Sequence, residues 1–200
     1  MTRMRITKLR YGNTNTFYIS GGRGGLLVDT GYAGTLNEFY RAIKAAGIGI
    51  KDIDYVSATH YHPDHMGLIG ELTAMGVRLL LADVQVDFVH FSDAIFARDR
   101  IPYLPADESR ADVVSCAESR GFLSRLGING EIIRTPSHSE DSVSLILDEG
   151  ACFAGDLEPL EYLAGYEDNE QLRRDWERIL SFGVRRVYFA HAPEKLIVSE

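Results

Sequence analysis

The run His60-Tyr61-His62-Pro63-Asp64-His65 packs four side chains of metal-ligating type into six residues. It follows an apolar, β-branched stretch, Ile53 to Thr59, so it is expected on the loop at the carboxyl end of a strand. Rigid scaffolds commonly present reactive groups on such loops. In a nearly extended segment, residues two apart point the same way, which lets His60 and His62 face one ion. Pro63 suits a first helical position, and Met66 to Leu72 reads as the short helix that follows. That reading leaves Asp64 and His65 on a tight turn, aimed at a second ion. Imidazole nitrogen combined with carboxylate oxygen suits zinc, iron or manganese. A polar loop with scattered surface histidines would account for one of these residues and accounts poorly for four together.

Similar strand-end positions recur along the chain. Leu26-Leu27-Val28 is followed by Asp29-Thr30-Gly31, and Glu131 to Arg134 by Thr135-Pro136-Ser137-His138-Ser139, ahead of a further strand-like run from Ser142 to Leu147. Ala151 to Ala154 ends in Gly155-Asp156, and Arg186 to Ala190 ends in His191. Each run delivers one ligand-type residue where a strand stops.

The ordered set resembles the metallo-β-lactamase superfamily of metal-dependent hydrolases. Its central motif is matched by Thr59-His60-Tyr61-His62-Pro63-Asp64-His65-Met66-Gly67, and its flanking motifs by Asp29, His138, Asp156 and His191 in their local contexts, across about residues 15 to 193. The resemblance implies that His60, His62 and His138 hold one metal, that Asp64, His65 and His191 hold the other, and that Asp156 bridges them. Asp29 is implied to stand behind the ligands rather than among them. Two divalent ions are therefore the expected cofactor, zinc first, with iron and manganese as the other candidates. The implied fold is an α/β four-layer αββα sandwich, two mixed sheets face to face with helices outside. The chain departs from the family pattern at Leu68, Ser137 and Ala192, where glycines are common; these positions bear on loop shape and substrate fit.

Length and charge agree with this. Two hundred residues, 45% of them apolar, suit one domain spanning 1–200 with an ordinary core. A formal net charge of −8 and the lack of a dense Lys/Arg run argue against a nucleic-acid partner; Arg173-Arg174 and Arg185-Arg186 read as solvated surface. No apolar stretch is long enough for a bilayer, and Met1 to Arg10 builds no signal-peptide core, so a cytoplasmic protein without membrane contact is expected. The two cysteines, Cys116 and Cys152, are expected to form neither a disulfide nor a metal ligand.

Met4 to Leu9, Thr16 to Ser20 and Gly25 to Val28 read as early strands. A helix follows, capped by Thr35 with Glu38, lined on one face by Leu36, Phe39, Tyr40 and Ile43 and stopped at Gly47. A second begins at Asp168 with Gln171 three later, carries Leu172, Trp176, Ile179 and Leu180, and stops near Gly183. Between Asp83 and Gly130 the alternation breaks: Val84, Phe88, Phe91 and Ile95 give a helical stripe, and Pro102 to Pro105 suggest an exposed turn near the site. This excursion is either a packed connector or a wall over the metals. Tyr162 and Tyr166, soon after Asp156, either donate to a leaving group or simply pack.

Paired ions about 3.5–4 Å apart can lower the pKa of a shared water and polarise the oxygen under attack. The expected reaction is hydrolysis of a small acyl substrate, an ester, lactone or thioester, by a dinuclear metal-bound hydroxide, with Asp64 both ligating and accepting a hydrogen bond from it. A Ser/His/Asp triad is not supported, because Ser137, His138 and Ser139 are adjacent and no Gly-x-Ser-x-Gly elbow occurs. The other readings carried forward are a mononuclear iron persulfide dioxygenase, a phosphodiesterase, and a member that binds a small ligand without turning it over.

Overall fold

Alternating apolar residues decide which way each strand faces, and hence where the layers form. The computed structural model describes residues 4–165 and 169–197. One sheet contains β1 (Arg5–Arg10), β2 (Asn15–Ser20), β3 (Gly25–Val28), β4 (Tyr55–Ser57), β5 (Arg78–Ala82) and β6 (Asp112–Val114), hydrogen-bonded in that order. β1, β2 and β3 pair antiparallel and β3 to β6 parallel, so the sheet is mixed. The other sheet runs β7 (Gly130–Arg134), β8 (Val143–Leu147), β9 (Ala151–Gly155), β10 (Arg186–Phe189) and β11 (Lys195–Leu196), with β9 and β10 parallel and the remaining pairs antiparallel.

On β2, β3 and β5, one set of alternate residues (Phe17, Ile19, Leu26, Val28, Leu80, Ala82) meets Ile132, Val143, Leu145, Leu147 and Phe153 of the second sheet, forming the middle of the molecule. The opposite set, Tyr18, Leu27, Leu79 and Leu81, packs beneath α1 (Leu36–Ala45), α2 (Pro63–Met66), α3 (Ile69–Ala74) and α4 (Asp93–Asp99). The far face of the second sheet, including Ile146, Cys152 and Val187, takes the Leu172, Trp176 and Ile179 face of α6 (Glu170–Ser181). A shorter helix, α5 (Ser119–Arg125), sends Phe122 and Leu123 into the middle layer. The result is the expected αββα sandwich. Burial of each such Leu, Ile or Phe side chain supplies roughly 1.5–3 kcal/mol. No helix among the described residues is long and apolar enough to cross a membrane.

Several local expectations are corrected. The helix after the histidine run starts at Pro63, so Asp64 and His65 lie inside its first turn; Gly67 and Leu68 then separate α2 from α3, in place of one helix from Met66 to Leu72. Gly67 is required there, because a Cβ would come within 2.2 Å of the Ala33 nitrogen. Thr35 stands at the N-cap of α1, but its hydroxyl donates to the Tyr32 carbonyl and caps nothing. In α6 the cap is Asn169, whose Oδ1 accepts from the Leu172 N–H; the expected start, Asp168, lies outside the described residues.

From 83 to 99 the buried stripe is Gln85, Val89, Ser92 and Phe96, one position off the expected apolar one. Two of those four are polar, and each is buried because it bonds backbone: Gln85 Nε2 to the Ala58 and Thr59 carbonyls, Ser92 Oγ to the Tyr61 carbonyl at 2.6 Å. Phe91 is left exposed. The Pro102–Pro105 segment, expected near the site, lies elsewhere. It packs over α3, where a Cβ on Gly70 would sit 1.9 Å from the Leu104 carbonyl oxygen, and Tyr103 stacks on Phe96.

Candidate metal centre

The strand ends deliver seven ligand-type side chains to one end of the sandwich. His60 and His62 follow β4, Asp64 and His65 sit on α2, His138 follows β7, Asp156 follows β9 and His191 follows β10. Their donor atoms form three overlapping groups, each within 4.8 Å: His60 with His62 and His138, His60 with His65 and Asp156, and Asp64 with His65 and His191. His62 Nδ1 lies 3.0 Å from His60 Nε2 and 3.2 Å from His138 Nε2. Asp64 Oδ2 lies 2.9 Å from His191 Nε2, and Asp64 Oδ1 3.8 Å from His65 Nε2.

Asp156 stands between the two sets and divides its oxygens. Oδ2 faces His60 and His138, at 3.9 and 3.7 Å, while Oδ1 faces His65 and His191, both at 3.3 Å. Gly155 makes this possible. Its φ of +58° turns the chain out of β9, and any side chain there would strike the Thr59 hydroxyl at 2.5 Å.

Thr59, which opens the matched motif but is given no role by it, organises the site. Its N–H donates to Asp29 Oδ1 at 2.7 Å, and its hydroxyl lies 3.1 Å from both Asp29 oxygens and 3.2 Å from His60 Nδ1. Asp29 itself, at φ +60° after β3, places Oδ2 3.2 Å from His65 Nδ1. A carboxylate on Nδ1 holds that proton in place and leaves Nε2 free as a lone-pair donor. Asp29 is thus behind His65 and outside the donor groups. Other supports are equally unmarked: Asp141 Oδ2 accepts from the Tyr61 N–H at 2.7 Å, buried Asp175 of α6 accepts from the Ser137 N–H at 2.9 Å, and the Asn13 carbonyl lies 3.0 Å from His191 Nδ1. Asp175 does carry a signal, as a carboxylate between Leu172 and Ile179 on an otherwise apolar face.

The electrostatics suit a cation. Among the described residues no lysine or arginine pairs with Asp29, Asp64 or Asp156; their ionic partners are histidines. His65 Nε2 and Asp156 Oδ1 are buried without a hydrogen-bond partner among those residues, a costly state that a metal ion would relieve. Burial and then the neighbouring imidazoles push the His60 pKa far below its ordinary value, keeping it a neutral donor. Burial disfavours the His65 cation too, but the Asp29 and Asp156 carboxylates more than reverse this and raise it to about 10. His65 therefore carries a second proton, on Nε2, at neutral pH, and that proton would have to leave before Nε2 could hold an ion.

The remaining candidates fall elsewhere. Tyr162 is half exposed in a 3-10 turn and does not line the hollow over Asp156; Tyr166 lies outside the described residues. The sixth histidine, His90, is exposed and pairs with Asp93 and Glu108.

A family model described as the metallo-beta-lactamase superfamily matches residues 9–191. A "Beta-lactamase-like protein 2 homolog" of Drosophila melanogaster is 30% identical over 184 residues, 89% of this chain and 58% of that protein. An "Atrochrysone carboxyl ACP thioesterase" of Aspergillus fumigatus is 29% identical over 179 residues, 89% of this chain and 50% of that one. The chain thus spans between half and three fifths of the length of these relatives. Among solved structures, TTHA1623 in a di-iron-bound form superposes with a TM-score of 0.70 at 20% identity, covering 96% of this chain and 94% of that one, which bears on the fold.

Proposed function

Because the chain belongs to the metallo-β-lactamase superfamily, with the match running from residue 9 to 191, we propose that it is a metal-dependent hydrolase of a small acyl substrate, an ester, lactone or thioester. The observation that carries this reading is the division of Asp156, one oxygen toward each histidine set. His60, His62 and His138 would hold one divalent ion and Asp64, His65 and His191 the second, zinc in our reading, with Asp156 between them. When bound, such a pair lowers the pKa of a water and polarises the oxygen under attack.

The chain's own residues supply orientation and proton placement. Burial keeps His60 neutral, and Asp29 fixes the proton of His65 on Nδ1. Asp64, only partly buried and next to His191, is placed to accept a hydrogen bond from the attacking water and align it with the acyl carbon. A carbon–oxygen bond to water forms, the acyl carbon's bond to the leaving oxygen or sulfur breaks, and the leaving atom takes up the proton that water loses. An acyl substrate is supported by the relative named as a thioesterase, and the net charge of −8 weighs against a polyanionic one.

Elemental analysis of protein purified without added metal, alongside ester, lactone and thioester assays, tests the reading. About two ions per chain are expected, and Asp156→Ala should lose both metal and turnover. Unchanged hydrolysis by metal-free protein overturns the proposal, and about one iron per chain with oxygen uptake on a persulfide replaces it with the oxygenase reading.

A further inference from the structure

Two hollows meet at His191 and Ala192. One, of about 250 Å3, lies over His138 and Asp156; the other, of about 600 Å3, leads away past Asn13 and Thr14 to Lys8 and Arg10 on β1. The larger one has the size of a small-molecule site. Lys8 and Arg10 are two apart on an edge strand, so their side chains leave the same face. Neither has an ion-pair partner within 4.0 Å among the described residues, although the protein carries a net charge of −8 and an excess of carboxylates to offer. Glu194 lines the same groove, but its carboxylate is taken up by Arg186. Burial and the adjacent Arg10 charge both lower the Lys8 pKa, with Glu194 opposing, so the two cations crowd each other. Thr14 is buried in the groove wall with its hydroxyl unpartnered among the described residues.

The opposite side of the centre has the opposite chemistry. Phe91, exposed at 55%, holds its ring 5.8 Å from that of His62, in the set that does not contain His191. An apolar platform on one side and a cationic groove on the other give the site a direction. We propose that the groove past His191 binds an anionic tail, a phosphate or carboxylate, carried on the leaving group of the acyl substrate, with Lys8 and Arg10 gripping it and the acyl chain lying against Phe91.

This rests on the hydrolase reading, so the test separates the two. The metal-loaded protein and its K8Q/R10Q variant are compared on three butyryl or succinyl substrates: a thioester whose thiol bears a phosphate, one whose thiol is uncharged, and a succinyl monoester with the charge on the acyl side and an uncharged alcohol. The ratio of kcat/KM for the phosphate-tailed thioester over the uncharged one should fall about tenfold in the variant, through KM, as two half-exposed charge contacts allow. Added salt should shrink the wild-type ratio. A thiol bearing a carboxylate in place of the phosphate then distinguishes the two anions. An unchanged ratio, or a loss confined to the succinyl ester, overturns the proposal. If wild type turns over none of the three, the hydrolase reading fails, and calorimetric binding of the non-hydrolysable phosphate-tailed thioether decides the groove alone: weaker binding in K8Q/R10Q supports it, equal binding overturns it.

Discussion

The ligands brought by the single segment His60–His65 and those brought by the later loops are held in different ways. His60 and His65 expose 1% and 0% of their side chains, whereas His138 and His191 expose 29% and 39%. The first segment is braced from several directions: Asp29 and Thr59 from below, Asp141 on the Tyr61 N–H, Ser92 on the Tyr61 carbonyl, Gln85 on the Thr59 carbonyl. The His138 loop is held by Asp175 on the Ser137 N–H and by the Ser139 hydroxyl on Asp141, and the His191 loop by Asn15, whose Nδ2 donates to the Phe189 and Ala192 carbonyls, with the Asn13 carbonyl 3.0 Å from His191 Nδ1. The braces behind the first segment keep His60 and His65 buried with their geometry set in advance, while the later loops, though braced themselves, leave His138 and His191 on the rim with Asp64, where substrate and solvent enter.

Breaking the brace behind His65 should have the largest effect. Asp29→Asn keeps the acceptor for the Thr59 N–H and tolerates the left-handed backbone, yet it can turn an N–H toward His65 Nδ1. The imidazole then favours its proton on Nε2, where the metal would bind. Loss of such a support costs about 10–100-fold in affinity, and calorimetric titration of metal-free protein should find that loss on the Asp64/His65/His191 set with the other set nearly unchanged. Equal loss at both would mean that the two halves do not differ as described. The His65 pKa of about 10 adds a pH signature. Because it lies above the unfolded value, the stability it gives metal-free protein is complete below about pH 6.5 and lost as pH rises through the folded value. Metal uptake should accordingly release a proton, and tighten as pH rises.

At the rim the expected effect is smaller. Asp175→Ala removes the buried acceptor of the Ser137 N–H and the partner of Gln171, leaving an unmet donor at a cost of about 1–3 kcal/mol. Urea unfolding should show that loss. Metal titration should show about tenfold weaker binding at the His60/His62/His138 set, at the low end of what such supports contribute. An intact affinity would show that the His138 loop holds its position without the helix.

Why the site is more legible in the sequence than its supports follows from the same contrast. His60 to His65 announce themselves because four ligand types are contiguous, and His138, Asp156 and His191 because each ends an apolar run. Thr59 and Asp29 are bonded across 30 positions, and no local pattern encodes that pairing. Gly155 is demanded by a hydroxyl nearly a hundred residues away. The αββα layering is carried by the family resemblance, and alternation alone does not fix it. β5 passes unread because Leu79, Leu80 and Leu81 are buried on both faces and show neither helical nor strand period. The excursion is misread by one position because Gln85 and Ser92, polar in sequence, are buried by bonds to backbone.

Between those extremes lies His90, beside Phe91, and it should matter least. It pairs with Asp93 at 2.8 Å and Glu108 at 2.9 Å, linking α4 to the turn before β6, but all three groups are substantially exposed. Burial opposes its charge, and the Asp93 and Glu108 carboxylates together outweigh this and raise its pKa. The stability this gives is therefore present below the ordinary histidine pKa and fades as pH rises through the raised one. Solvent screening limits it to about 0.3 kcal/mol, so His90→Ala should shift the urea midpoint slightly on the acid side of the histidine range and not at all on the alkaline side. A large, pH-independent loss would instead make this link part of what seats Phe91 against His62, and would make the excursion one of the braces of the centre.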